Sequence, residues 1–185
     1  MTRSATRGWY AWPLCVLAAL VCAIAQAPQT PQPMPKVEGD SFTGQHVVLP
    51  AAAKGKVAVL VFGFTKASKG PTSIWAQKTL AEFGSNAGFE LYQLPVLEDV
   101  PRLIRGMVIS GIKKGVPQKT HDHFVPIVQG EAELKKFVNY KEPDDAYLVI
   151  LDATGQVVQQ LHGMFSDAAF AQLRAEVQSL LGHTN

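Results

Sequence analysis

The chain has 185 residues, 47% of them hydrophobic and 17% charged, with a formal net charge of +2. That length fits one domain with an N-terminal appendage, and that balance excludes an intrinsically disordered chain. Removing Arg3 and Arg7 leaves 15 basic against 15 acidic side chains, so the remainder lacks the dense basic surface by which nucleic acid is bound.

Residues 1–27 read as a signal peptide. Arg3 and Arg7 supply the positive end, Leu14 to Ile24 the apolar stretch, and Ala23-Ile24-Ala25 and Ala25-Gln26-Ala27 two small-x-small cleavage sites. The run from Leu14 is shorter than the roughly 20 residues that span a bilayer. Counted from Trp9 it comes close, so an uncleaved anchor is the alternative and the one expected route to a membrane. The expected location is exported, in the periplasm or secreted. Both cysteines, Cys15 and Cys22, fall in this segment; cleavage would leave a domain without thiols, held by its core alone. No cofactor is expected.

Residues 28–36 follow as a linker, with PQTPQPMP over 28–35 unable to pack as a helix or central strand. The domain is expected over 37–185. His46 to Leu49 reads as a short strand. Lys56 to Phe64 (KVAVLVFGF) is a nearly continuous apolar run, the signature of a strand buried on both faces. After the loop TKASKG, Pro71 suits the first position of a helix to about Ala87, with Ile74, Trp75, Leu80 and Phe83 inward. Phe89 to Leu97 is the next strand. Pro101 to Lys114 has helical spacing, with Leu103, Ile104, Met107 and Val108 on one stripe and Asp99 as cap. Phe124 to Val128 predicts an inner strand and Glu131 to Val138 a short helix. Tyr147 to Leu151 and Gln156 to Leu161 form a hairpin about Asp152-Ala153-Thr154-Gly155. Ser166 caps a last helix that Gly182 can end. Trp75, Phe83, Met107 and Met164 are expected in the core. Alternating strands and helices, then a hairpin and a helix, indicate an α/β fold with a mixed central sheet covered on both faces.

That order, with VLVFGFT at 59–65 and AYLVILDATGQVV at 146–158, resembles the thioredoxin-like fold, a three-layer α/β/α sandwich. In redox-active members of that superfamily the loop after the first buried strand carries cysteines, and a cis-proline precedes the late strand. Here the loop is Thr65-Lys66-Ala67-Ser68-Lys69-Gly70, and the proline position falls on Ala146. A closer likeness, over FTKASKGPTSIWAQ (64–77), LPVLEDVPRLIRGMVISGIKKGVP (94–117) and DAYLVILDATGQV (145–157), is to the mitochondrial ATP synthase assembly factors and their bacterial relatives, thioredoxin-like proteins without the catalytic cysteines. This resemblance implies a redox-inactive domain, no enzyme, that binds a protein or peptide partner in an assembly role.

Three groups of residues are candidates for a site. Thr65, Lys66, Ser68 and Lys69 occupy the loop that is catalytic in redox relatives; two lysines and the amides of a helix start can hold an anion or a partner's carboxylate, or the loop is simply solvated. Arg102 and Arg105, three apart on a helix, can present a partner-binding edge. His121 and His123 flank Asp122 and, in an extended segment, would face the same side as metal ligands, or form an exposed polar loop. The rival functions are a metal-binding or non-thiol enzyme using the Lys66–Lys69 or His121–His123 loop, and an envelope structural domain without a discrete site.

Overall fold

The computed structural model describes residues 33–182. The expected signal peptide, with both cysteines, and most of the expected linker lie outside the described residues.

The strand β3 (Val57–Gly63, VAVLVFG) is apolar because both of its faces are covered: Val57 to Phe62 are all buried. β4 (Phe89–Pro95) runs parallel to it, while β5 (Ala146–Leu151) lies antiparallel on its other side and β6 (Val157–Gly163) follows β5, giving the order β4-β3-β5-β6. A parallel pair needs a long crossover, supplied here by α1 (Lys69–Phe83).

Alternation along β3 sorts the core into two halves. Val57, Val59 and Val61 pack against Trp75, Ala76 and Phe83 of α1 and Leu173 and Val177 of α4 (Asp167–Gly182). Ala58, Leu60 and Phe62 face Leu134 and Phe137 of α3 (Glu131–Phe137), together with Val37, Val47 and Leu49 from a hairpin of β1 (Val37–Asp40) and β2 (His46–Leu49). The result is the α/β/α sandwich with a mixed central sheet.

Local chemistry explains several boundaries. The Ser166 hydroxyl accepts the Ala169 amide at 3.2 Å, capping α4. In the β5–β6 turn, Asp152 Oδ1 accepts from the amides of Thr154 (2.8 Å) and Gln156 (2.9 Å), while Gly155 takes the left-handed φ of 84°. The buried indole of Trp75 donates to the Gly163 carbonyl at 3.0 Å, so its burial leaves no orphan N–H.

Other boundaries move. β1 is a strand that alternation alone does not announce. The expected inner strand at Phe124 to Val128 runs beside β4 and the residue after it through isolated parallel bridges, Gln93–Phe124 and Val96–Ile127, with the Val125 and Ile127 amides donating to the Gln93 and Pro95 carbonyls. Pro126 between them turns its nitrogen away from β4, as suits an edge. α1 starts at Lys69, two residues before Pro71, whose missing N–H costs nothing in a first turn. The helix ends at Phe83, and Ile74 is exposed.

The largest departure is α2 (Arg102–Lys114). No residue of it is buried; Leu103 is 99% exposed and Met107 76%, so Leu103, Ile104 and Met107 of the expected core stripe face outward, and of the four only Val108 is half-buried. Arg105 donates to the carbonyls of Glu98 and Val100, and Lys113 to that of Phe42. These bonds turn the opposite side, with Ile109 and Ile112 half-buried, toward the domain. Asp99 does not cap α2; it pairs with Lys135 at 3.7 Å. Met164 is likewise exposed.

The β1–β2 hairpin is seated by a close approach. A Cβ on Gly39 would stand 2.7 Å from the Pro126 carbonyl oxygen and 2.9 Å from Val125 Cγ1. Gly39→Ala is therefore expected to cost about 1–3 kcal/mol by overpacking, whereas Gly106→Ala in α2, with nothing within 4 Å, should gain a few tenths to about 1 kcal/mol. Urea unfolding of the two variants checks the contrast.

Candidate functional site

β3 ends where the chain needs room for a side chain. A Cβ on Gly63 would lie 2.7 Å from Ser68 Oγ, so glycine lets the 65–68 turn fold back over the strand end. Within that turn Ser68 Oγ donates to the Thr65 carbonyl (2.8 Å) and accepts the Thr65 amide (3.3 Å), while the Ser68 amide donates to Thr65 Oγ1 (3.2 Å). Ser68 is 1% exposed. Its hydroxyl is used up inside the turn, which removes it as a nucleophile or ligand for an arriving group.

The amides of the helix start are largely spent as well. Ser68 and Lys69 donate within the turn, Pro71 has no N–H, and the Thr72 amide reaches the Ser68 carbonyl at 2.9 Å. An anion cradle of backbone amides is thus not what the loop offers. It presents the exposed side chains of Lys66 and Lys69. Lys69 Nζ lies 4.0 Å from where a Gly115 side chain would begin, so the end of α2 adjoins the loop.

The turn is tied to the strand end beside it. The Thr65 hydroxyl donates to the Pro143 carbonyl at 3.0 Å and lies 3.3 Å from Asp144 Oδ1. That second loop is itself fixed from below, where the Tyr147 phenol accepts the amides of Lys141 (3.0 Å) and Glu142 (2.9 Å) and donates to the Glu142 carbonyl (3.0 Å). The Tyr147 ring stacks on His162 with centroids 5.5 Å apart, and His162 Nδ1 lies 3.0 Å from Asp145 Oδ2. A depression of about 300 Å³ opens beside His162, lined also by Lys136, Asn139 and Gln160. Ala146 stands buried at the expected proline position. Sequence reasoning missed His162 as a member of this surface, and Asp145 and buried Tyr147 as its supports, because their meeting depends on hairpin register.

The remaining candidates disperse. Arg102 is exposed, but Arg105 is turned back onto its own loop carbonyls, so the two do not form one edge. His121 and His123 lie in a 3-10 turn over Gln118–His123 rather than an extended segment, and residues two apart in such a turn diverge. His121 Nε2 meets the Val116 carbonyl at 3.0 Å; His123 pairs with Asp122 (3.0 Å) and approaches Glu90 (3.6 Å). Among the described residues no group of three or more His, Cys, Asp or Glu is arranged to hold a metal ion. Glu98, in the segment before α2, accepts the Glu131 amide at 2.6 Å, at the start of α3.

His123 belongs to a polar cluster in the first half of β4. Glu90 accepts from Lys56 (2.6 Å) and from the Tyr92 phenol (2.8 Å). Burial pushes the Glu90 carboxyl up, but the bonds from Lys56 and Tyr92 and the neighbouring His123 outweigh it and hold its pKa below the usual range. Tyr92 is pushed up, by burial first and then by the carboxylate it serves.

Comparison with known proteins bears on the whole domain. No protein-family profile matches the chain, and no curated protein matches its sequence. Solved structures do. A putative thiol:disulfide interchange protein DsbE from Chlorobium tepidum matches with a TM-score of 0.58 at 16% identity, over 84% of this chain and 99% of that one. BsSco, a member of the Sco family of cytochrome c oxidase assembly proteins, matches at 0.59 and 15%, over 84% and 96%. The exposed lipoprotein thioredoxin Etrx1 from Streptococcus pneumoniae matches at 0.53 and 16%, over 77% and 99%.

Two expectations change. The likeness to ATP synthase assembly factors finds no support in these matches. The reading of the chain as no enzyme is overturned: the solved structures of this shape are named as thiol-disulfide oxidoreductases, disulfide interchange proteins and Sco-type proteins. The sulfur-free loop at 65–70 does not decide the matter for the whole chain, because Cys15 and Cys22 lie outside the described residues.

The Glu90 cluster carries a pH signature. A depressed carboxyl contributes stability that is present above the ordinary carboxylate range and is lost as pH falls through its folded pKa. The stability gap between the natural chain and Glu90→Gln should therefore be widest near neutrality and close below about pH 4, read by denaturant unfolding across that range. At these identities likeness speaks for shape alone, and the shape is clear: the chain adopts the thioredoxin-like fold.

Proposed function

We propose that the domain binds a protein or peptide partner on the surface that runs from the 65–69 turn across Pro143 and Asp144 toward His162. The observation that carries this reading is the Thr65 hydroxyl, whose bonds to Pro143 and Asp144 join two loops into one surface. A surface already ordered spends less of its interaction energy on ordering when a partner arrives. Its outward groups are Lys66 and Lys69 at one end and the depression beside His162 at the other. Lysines at the rim of such a surface select carboxylates on the partner and speed the encounter. Export is part of the proposal, supported by the composition of residues 1–27 and by the extracytoplasmic character in the name of the pneumococcal exposed lipoprotein thioredoxin. An assembly role is in keeping with the Sco-family likeness.

Cross-linking in the native cell, followed by mass spectrometry, tests it. A single recurrent partner is expected, with recovery reduced about three- to tenfold in Lys66→Ala/Lys69→Ala, as two exposed charges imply. Recovery unchanged in that variant sinks the proposed surface.

A second reading is favoured by the names of the solved structures: a thiol-disulfide activity whose sulfur comes from Cys15 or Cys22. It predicts insulin-disulfide reduction by the full chain that Cys15→Ser/Cys22→Ser abolishes and Lys66→Ala/Lys69→Ala leaves intact.

A further inference from the structure

We propose that α2 is an interfacial helix whose outward face, Leu103, Ile104 and Met107, rests on an anionic lipid surface. The inference is independent of the partner proposed for the 65–69 turn.

α2 lacks the cover that fixes α1, α3 and α4. None of its thirteen residues is buried, and Leu103, Met107 and Ile104 are 99%, 76% and 47% exposed. A helix of this length is marginal alone in water, and Gly106 and Gly111, with open space around both, weaken it further. At 100° per residue, Leu103, Met107 and Lys114 fall on one line along the helix, with Ile104 beside them and small Ser110 and Gly111 filling the rest. The face is an apolar strip.

Charge says what suits it. α2 carries Arg102, Arg105, Lys113 and Lys114 and no acid. Arg105 and Lys113 are engaged with backbone carbonyls, which leaves two exposed cations at the ends of the helix, Arg102 at its start, 100° round from Leu103, and Lys114 at its end, in line with Leu103 and Met107. The nearby acids are turned elsewhere: Glu98 to the Glu131 amide, Asp99 to Lys135, Asp122 to His123. An apolar centre with cationic ends matches the boundary between acyl chains and anionic headgroups. A second copy suits it poorly, since an acid-free helix packed on itself sets cation against cation in either orientation.

Reach agrees. Nine residues, 28–36, separate the apolar N-terminal stretch from β1, which bounds the distance between them at about 30 Å. From Lys36 to Phe42, whose carbonyl holds Lys113, is six residues, at most about 20 Å of chain. A chain whose N-terminal stretch meets a bilayer therefore keeps α2 within range of its surface. No helix among the described residues is long and apolar enough to cross a membrane, in keeping with a helix that lies on one.

Hydrogen exchange of the full chain on vesicles tests this, comparing phosphatidylglycerol-containing with purely phosphatidylcholine vesicles. Amides of 102–114 should slow roughly tenfold or more on the anionic vesicles only, and high salt should reverse much of that slowing. Leu103→Asp/Met107→Asp should abolish it while exchange in β3 and β5 stays unchanged, which shows the fold intact. Arg102→Gln/Lys114→Gln should remove the preference for anionic lipid. Exchange in α2 that is indifferent to vesicles, or equal on both kinds, overturns the proposal. So does protection that grows with protein concentration without lipid, which would mark an interface between copies.

Discussion

Burial of β3 and β5 on both faces is the constraint from which the remaining architecture follows. Neither strand has a position open to water between Val57 and Phe62 or between Ala146 and Leu151. A pair of strands with two apolar faces needs cover twice, and the chain provides it with α1 and α4 on one side and α3 with the β1–β2 hairpin on the other. Once those four are in place the core is closed. α2 is the helix left over, which is why it can turn an apolar strip to the outside without cost to the core.

The candidate surface is built from the ends of the same two strands. β3 and β5 are antiparallel neighbours, with Phe62 opposite Tyr147, so the chain leaving β3 and the chain entering β5 must pass each other. Thr65 bridges that gap with its hydroxyl, and Tyr147 holds the incoming loop by its phenol. The strand ends are closed there by hydroxyl chemistry, with Ser68 buried and satisfied and the two lysines turned to solvent.

Much of this was legible from local pattern. The run VAVLVFG can only be a strand covered twice, Asp152 and Gly155 can only be a tight turn, and Ser166 announces the helix it caps. The surface was half legible. Thr65 to Lys69 follow from the position of the loop, but Asp145, Tyr147 and His162 do not, because the β5–β6 register shifts between Ile150 and Leu151. Counting back from the turn without that bulge opposes Tyr147 to the wrong residue, and a slip of one exchanges the faces of a strand.

What the sequence determined by itself is the order of the helices and of β2 to β6, though not β1 or the irregular stretch at 124–128, together with the buried strands and the thiol-free composition of the 65–70 loop, since each depends on residues adjacent in the chain. Tertiary structure alone decided which apolar stripe meets a core and which does not. Helical periodicity shows that Leu103, Ile104 and Met107 share a side, but the direction of that side was decided by Arg105 and Lys113 reaching carbonyls elsewhere. It also decided that His121 and His123 part company in a 3-10 turn and that Ser68 is enclosed. A one-dimensional pattern records which side chains travel together; what they meet depends on contacts between segments far apart in the chain.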